Sequence, residues 1–255
     1  MTKKVALITG ANKGIGLETA RQLAEQDVTV LVGARDEGRG EEAARVLREE
    51  GADARFVQID VTDAASIDRA AAWIDSEYGL LDILVNNAGS ATISRERTLP
   101  SGTSLEDMRA VYDINVFGLV AVTNAMLPLL RRAPAARIVN VSSEVGSIGS
   151  QTSETSPLSG MPPSAQYPSS KAAVDMLTAM YAKELSDTAI KVNAANPGFT
   201  ATDFNDHRGF RTAAQGAEPS VHLATLPDDG PSGILWGHLW TTEGDGDGGY
   251  GRLPW

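Results

Sequence analysis

The chain contains no cysteine. Disulfides, thiolate metal sites and cysteine nucleophiles are therefore excluded. Histidine is scarce: His207, His222 and His238 are dispersed in sequence and make no recognisable metal motif. Positive charge is also short. There are 22 Lys and Arg against 33 Asp and Glu, a net charge of −11, which opposes nucleic acid or an anionic membrane as a main partner. The start runs from Met1-Thr-Lys-Lys straight into apolar Val5 to Ile8, with no signal-peptide pattern and no apolar segment of membrane-spanning length. A soluble cytoplasmic protein is the expectation. The tail from Glu243 to Gly249 has spaced aspartates but lacks the later glutamate and flanking helices of an EF-hand. It reads as flexible, and no metal is expected.

What is present points to an α/β protein. A chain of 255 residues with 42% apolar content suits one large domain over 1–255 and can bury a substantial core. Short β-rich runs alternate with amphipathic stretches. Strands are expected at Val5 to Ile8, Val28 to Val32, Arg55 to Ile59, Ile83 to Val85, Ile138 to Val141, Ile190 to Ala194 and Ile234 to Trp236. Helices are expected at Gly14 to Gln26, Glu41 to Glu50, Ala64 to Tyr78, Ser104 to Leu130 and Tyr167 to Leu185. Near-continuous apolar strands separated by helices predict a doubly wound parallel sheet of Rossmann type with helices on both faces. Two polar segments break the rhythm, about 146–166 and 199–216, and long loops in compact domains are often functional.

The segment Thr9-Gly10-Ala11-Asn12-Lys13-Gly14-Ile15-Gly16 leaves the first strand and opens the first helix. Glycines there permit a tight turn and close approach of backbone to a pyrophosphate, and a helix N-terminus offers free N–H groups. The end of the second strand reads Gly33-Ala34-Arg35-Asp36, with Arg39 soon after. An acidic residue there would bind the ribose 2′-hydroxyl of NAD, and an arginine would bind the 2′-phosphate of NADP. Asp36 and Arg35 compete for the role. Small Ala34 leaves room, Arg35 can pair bidentately with a phosphate, and Lys13 and Arg39 add cations, so NADP(H) is the favoured cofactor.

Tyr167 and Lys171 share one face of a helix and follow the Ser142-Ser143 pair by about 24 residues. A phenol ordinarily titrates near pH 10. A neighbouring ammonium is expected to lower that value, so the pair can exchange a proton with a carbonyl oxygen or an alcohol. An isolated Tyr-x-x-x-Lys more often marks an exposed helix pair than a site.

The set changes the odds. Thr9-Gly10-x-x-x-Gly14-x-Gly16, Asn86-Asn87-Ala88-Gly89, Asn115, Ser143, Tyr167-x-x-x-Lys171 and Pro197-Gly198 occur in one chain order. Together they resemble the short-chain dehydrogenase/reductase family, from about Lys4 into the C-terminal region. Gly10 to Gly16, Ala34-Arg35-Asp36, Arg39 and the extra length before Tyr167 look most like its NADPH-dependent carbonyl reductases. That resemblance implies roles. Tyr167 would be the acid/base, and Lys171 would lower its pKa and bind the nicotinamide ribose. Ser143, rather than Ser142, would bind the substrate oxygen. Asn115 would support a proton relay through Lys171. Asp60 and Val61 would lie at the adenine, Asn87, Ala88 and Gly89 beside the ribose, and Pro197, Gly198 and Thr202 at the nicotinamide amide.

The expected activity is hydride transfer from NADPH to a ketone or aldehyde carbonyl, giving an alcohol. The competing readings are a nonenzymatic NADP-binding regulator and an NAD-linked alcohol dehydrogenase using Asp36. Related proteins often assemble through the two long helices. Here Pro157, Pro162 and Pro163 stiffen the segment before Tyr167, and Leu158 and Met161 are expected to cover helix surface, which favours a monomer over a dimer.

Overall fold

Aliphatic runs without polar alternation form the centre of one eight-stranded sheet. The computed structural model describes residues 3–91, 99–241 and 247–255. The strands are β1 Val5–Thr9, β2 Thr29–Ala34, β3 Ala54–Gln58, β4 Ile83–Asn86, β5 Arg137–Val141, β6 Lys191–Asn196, β7 Leu235–Trp240 and β8 Asp247–Leu253. Their order across the sheet is β3-β2-β1-β4-β5-β6-β7-β8. All pairings are parallel except β7 with β8. The chain winds outward from β1 in one direction and from β4 in the other. A crevice therefore opens between the carboxyl ends of β1 and β4, where α/β sheets of this order bind ligands.

The helices are α1 Gly14–Ala24, α2 Glu37–Glu49, α3 Ala64–Tyr78, α4 Leu105–Tyr112, α5 Leu119–Leu130, α6 Ile148–Thr152, α7 Gln166–Glu184 and α8 Ala213–Ala224. Period-2 alternation of β1 sends Leu7 to one face and Ile8 to the other. On one face, Leu7, Leu84 and Ile138 meet Ile74 of α3, Met126 of α5 and Val174 of α7. On the other, Ile8, Val85 and Val139 meet Ala20 of α1, Leu47 of α2 and Val221 of α8. Each fully buried aliphatic side chain contributes roughly 1.5–3 kcal/mol, so the two cores fix the helices to the sheet.

Local signals set the boundaries. Asp63 caps α3 by accepting from the Ala65 N–H, and Gly79 ends it in the left-handed conformation at φ 70°. The run expected as one helix from Ser104 to Leu130 is continuous but carries a π-helical segment at Asp113–Gly118. By length and composition it is apolar enough to cross a membrane, contrary to the sequence reading, and half of its most apolar window is buried in the protein.

Helices α6 and α8 and strand β8 escaped the sequence reading. Helix α8 begins inside the segment expected as loop. Thr212 and Gln215 cap it reciprocally, and Gly216 and Pro219 disguise its period. Strand β8 takes up residues 247–249, expected as flexible tail; residues 243–246 lie outside the described residues. Segment 146–166 is likewise not plain loop, holding α6 and a 3-10 turn at Pro157–Gly160. It buries Leu158 but leaves Met161 exposed, and Phe117, Met176 and Met180 on the long helices also stay exposed.

A second 3-10 turn, Glu144–Gly146, carries Ser143 against α7. A Cβ at Gly146 would lie 2.6 Å from the Lys171 carbonyl carbon and 2.8 Å from the Ala172 nitrogen. Backbone cannot yield as a flexible side chain would. Gly146→Ala is expected to cost about 1–3 kcal/mol, lowering the melting midpoint by roughly 2–4 °C per kcal/mol. An unchanged midpoint in a calorimetric scan would contradict this packing.

Candidate active site

The glycine turn and the loop after β4 are stitched together across the crevice. Gly10 and Gly14 hold positive φ values of 65° and 59°, a region that favours glycine. Asn87 donates through Nδ2 to the carbonyls of Thr9 at 2.8 Å and Gly10 at 3.2 Å. The Thr9 hydroxyl accepts the Asn87 and Ala88 N–H groups, each at 3.0 Å. A Cβ at Gly16 would stand 2.4 Å from Asn87 Nδ2, so this contact requires glycine. Lys13 makes no side-chain cap at the start of α1, leaving that N-terminus open to an anion. The cradle fits a dinucleotide pyrophosphate, with Asn12 and Ile15 in the same turn.

At the carboxyl end of β2, the Asp36 carboxylate caps α2 by accepting the Arg39 N–H at 2.8 Å. Arg35 and Arg39 stand exposed beside it. A cleft of about 420 Å³ opens here, lined by Asn12, Lys13, Leu17, Arg39, Glu42 and Asp203. Lys13 is engaged: its Nζ lies 2.7 Å from Asp203 on the far side of the cleft. Asp60, after β3, closes its own turn by accepting from the Thr62 N–H at 2.9 Å and hydroxyl at 2.7 Å. Val61 packs on Gly118, where a Cβ would approach the Val61 carbonyl to 2.8 Å.

The predicted catalytic residues converge between β4, β5 and α7. Lys171 is 5% exposed, and its Nζ donates to the Val141 carbonyl at 2.7 Å. The same ammonium lies 5.6 Å from the centre of the Tyr167 ring. The π-helical segment turns Asn115 inward, where Nδ2 donates to the Ser90 carbonyl at 2.8 Å and the Ser170 hydroxyl at 2.9 Å. Gly89 borders both groups: a Cβ there would be 3.4 Å from Asn115 Oδ1 and 3.8 Å from Lys171 Nζ. Ser142 points into the core and donates weakly to the Lys171 carbonyl at 3.4 Å. Ser143, half-buried, is the serine beside the Tyr167 phenol.

One electrostatic expectation fails. In the protein without cofactor, burial pushes the Tyr167 phenol up, to about 12; the Ser143 hydroxyl works the other way. Desolvation of the phenolate dominates, and the Asp175 charge adds to it. Burial likewise pushes Lys171 down, to about 8, opposed by the charge of Asp175.

The loop after β6 closes the site. Gly198 turns at φ 73°, and Thr202 folds back over the glycine turn, its Cγ2 lying 3.5 Å from a Cβ placed on Gly14. The next residues set Phe204 against Tyr167, with ring centres 5.5 Å apart. Phe199, Phe210 and Trp240 form a separate aromatic cluster around the same loop. Sequence reading missed Asp175, Asp203 and Phe204. Asp175 had a signal, since it lies four residues past Lys171 on the same helix face. Asp203 and Phe204 lie in an irregular loop, where no periodicity marks a side chain's direction.

Comparisons with known proteins agree with this geometry. Residues 4–211 match a family model described as short chain dehydrogenase. The chain is similar to short-chain dehydrogenase anuI of Penicillium roqueforti, 40% identical over 94% of each chain. Among solved structures, it is similar to salutaridine reductase of Papaver somniferum, with TM-score 0.79, 31% identity and coverage of 91% of this chain and 99% of that one. It is also similar to NADPH-bound carbonyl reductase from chicken fatty liver, with TM-score 0.80, 28% identity and coverage of 93% and 97%.

Tyr167 is half-buried as a residue, but the desolvation of its phenol sets a spectroscopic expectation. The ultraviolet difference titration between wild type and Tyr167→Phe, without cofactor, should show no phenolate step near pH 10, where an ordinary tyrosine is half ionised. A step there that the variant lacks would overturn the burial argument.

Proposed function

The chain belongs to the short-chain dehydrogenase/reductase family, and from that premise we propose that it reduces a ketone or aldehyde carbonyl with NADPH. The observation that carries the reading is the meeting of Ser143, Tyr167 and Lys171 beside Gly89 at the mouth of the nucleotide crevice. Two hydroxyls face one small region next to a buried cation, an arrangement suited to charge developing on a carbonyl oxygen.

The residues divide the work. The turn from Gly10 to Gly16, with Asn12, Lys13 and Ile15, would hold the pyrophosphate. Asp60 and Val61 would flank the adenine. Asn87, Ala88, Gly89 and Lys171 would hold the nicotinamide ribose, and Pro197, Gly198 and Thr202 the amide. When bound, the nicotinamide supplies the hydride that reaches the carbonyl carbon. Ser143 donates a hydrogen bond to the substrate oxygen. Tyr167 gives that oxygen its proton, completing the alcohol. Lys171 stabilises the phenolate left behind, and Asn115 holds the backbone of Ser90 and the hydroxyl of Ser170 around it.

NADPH is preferred to NADH in this reading because Asp36 is occupied as a helix cap while Arg39 lines the cleft and Arg35 stands exposed at the end of β2. The carboxylate that would take a 2′-hydroxyl already has its donor; the guanidinium that would take a 2′-phosphate is accessible. Exposed Phe204 against Tyr167 favours an apolar carbonyl compound over a charged one.

Cofactor choice is tested at Arg35. A charge-assisted contact is worth about 1.5–3 kcal/mol, so Arg35→Ala should lower kcat/KM for NADPH at least about tenfold and affect NADH less. Equal losses for both would reject the assignment and favour Asp36 as the selector. The acid/base role is tested with Tyr167→Phe against a panel of activated ketones and aldehydes. Turnover should fall by at least about 10²-fold while NADPH still quenches protein fluorescence. Turnover near wild type would sink the mechanism. Binding of NADPH by the wild type without reduction of any member of the panel would favour the regulatory reading.

A further inference from the structure

Asp175 is 4% exposed, and neither of its carboxylate oxygens has a well-formed hydrogen bond; the Ser142 hydroxyl, only weakly engaged at 3.4 Å with the Lys171 carbonyl, lies alongside. An uncompensated buried carboxylate is costly, so its retention in a core helix calls for a physical reason. Its position supplies one. Lys171, Asp175 and Thr178 follow one another along the face of α7 that meets β5. Lys171 receives the Ser142 hydroxyl at its carbonyl, and Thr178 receives Asn140 Nδ2 at 2.9 Å. Asn140 of β5 and Ser142, the residue that follows the strand, lie two apart. Asp175 sits between these two tie points, one helical turn beyond the ammonium and two beyond the phenol.

Resting on the reductase reading above, we propose that Asp175 is a positioning residue, the buried counter-charge that keeps Lys171 in its ammonium form. It never touches substrate. Its action runs through Lys171, and through Lys171 to the proton of Tyr167.

The surroundings leave it little other electrostatic company. The elements packed against α7 carry Glu144 on the 3-10 turn, Glu106, Asp107, Arg109 and Tyr112 on α4, Asp113 on the π-helical segment, Arg137 on β5 and Lys191 on β6; Tyr181, Lys183 and Glu184 share the helix. Glu144 is turned to Ser150 and the Trp240 backbone, and Tyr181 donates to Asn124. Among the described residues, Lys171 is the charge that acts on Asp175, and Asp175 the charge that acts on Lys171 and Tyr167. Burial pushes the Asp175 carboxyl up, to about 7, with Ser142 and then Lys171 opposing. Above that pH the carboxylate favours ammonium at Lys171 and disfavours phenolate at Tyr167. Both effects hold the state in which Tyr167 can donate its proton.

The sign of the test follows. Losing an opposite charge lowers the pKa of a buried lysine, so Lys171 should lose its proton at lower pH when Asp175 is neutralised. The readout is carbon-13 NMR of ε-labelled lysine in the full-length protein without cofactor, with the Lys171 signal assigned by its loss in Lys171→Gln. In Asp175→Asn the titration midpoint should fall by about one pH unit or more. Asp175→Leu, of similar volume, should do the same, and keeps the test open if the amide folds poorly. Asp175→Glu, which retains the charge, should move the midpoint less. The alkaline limb of kcat/KM for carbonyl reduction should move with the NMR midpoint. An unmoved Lys171 midpoint in both neutral variants overturns the proposal, whatever the activity. Inactivity of the wild type on every carbonyl compound, with a shifted midpoint, would instead defeat the reductase reading and leave the counter-charge standing.

Discussion

The site depends on keeping one ammonium out of water. Lys171 is buried in α7, and the Val141 carbonyl at the end of β5 is the acceptor it has found. A lysine in such surroundings is pressed to lose its proton. What surrounds it offsets that pressure: a backbone carbonyl, the Asp175 carboxylate and the face of the Tyr167 ring. The same burial raises Tyr167 rather than lowering it. An activated phenol is therefore not a property of the unliganded protein.

The fold serves this constraint directly. Parallel strands in the order found here leave a crevice at the carboxyl ends of β1 and β4, and every candidate group lies at a strand end or on the helix that follows. The π-helical segment turns Asn115 toward Ser170 and the Ser90 backbone. Gly146 lets Ser143 approach α7 to a distance any Cβ would prevent. The loop after β6 ties Asp203 to Lys13 and lays Phe204 on Tyr167. One segment thus borders both the nucleotide cleft and the candidate substrate face, so cofactor and substrate would contact the same few residues.

Much of this was legible in the sequence, for identifiable reasons. The strands of the sheet centre are buried on both faces and so read as unbroken apolar runs. The helix from Ala64 to Tyr78 was readable to the residue because Asp63 and Gly79 bracket it. Tyr167 and Lys171 were visible because helical spacing alone sets them on one face. Three things were not legible. Helix α8 carries Gly216 and Pro219, which mask its period, and β8 is rich in glycine. The Lys13–Asp203 pair joins residues 190 apart in the chain. The direction of the Tyr167 shift required burial, which no spacing rule supplies. The membrane-length apolar run also misled, since its hydropathy reflects packing between the sheet and α3.

The central claim is that hydride and proton reach a carbonyl carbon and oxygen at this site. The most direct measurement is mass spectrometry of the alcohol formed from an apolar ketone with NADPH deuterated at the nicotinamide C4 position. The account predicts one deuterium on the carbinol carbon for one C4 face of labelling, and at least about a hundredfold less of that labelled alcohol when Tyr167→Phe replaces the wild type. Absence of the label from the alcohol formed by the wild type, with either face of NADPH deuterated, would contradict it.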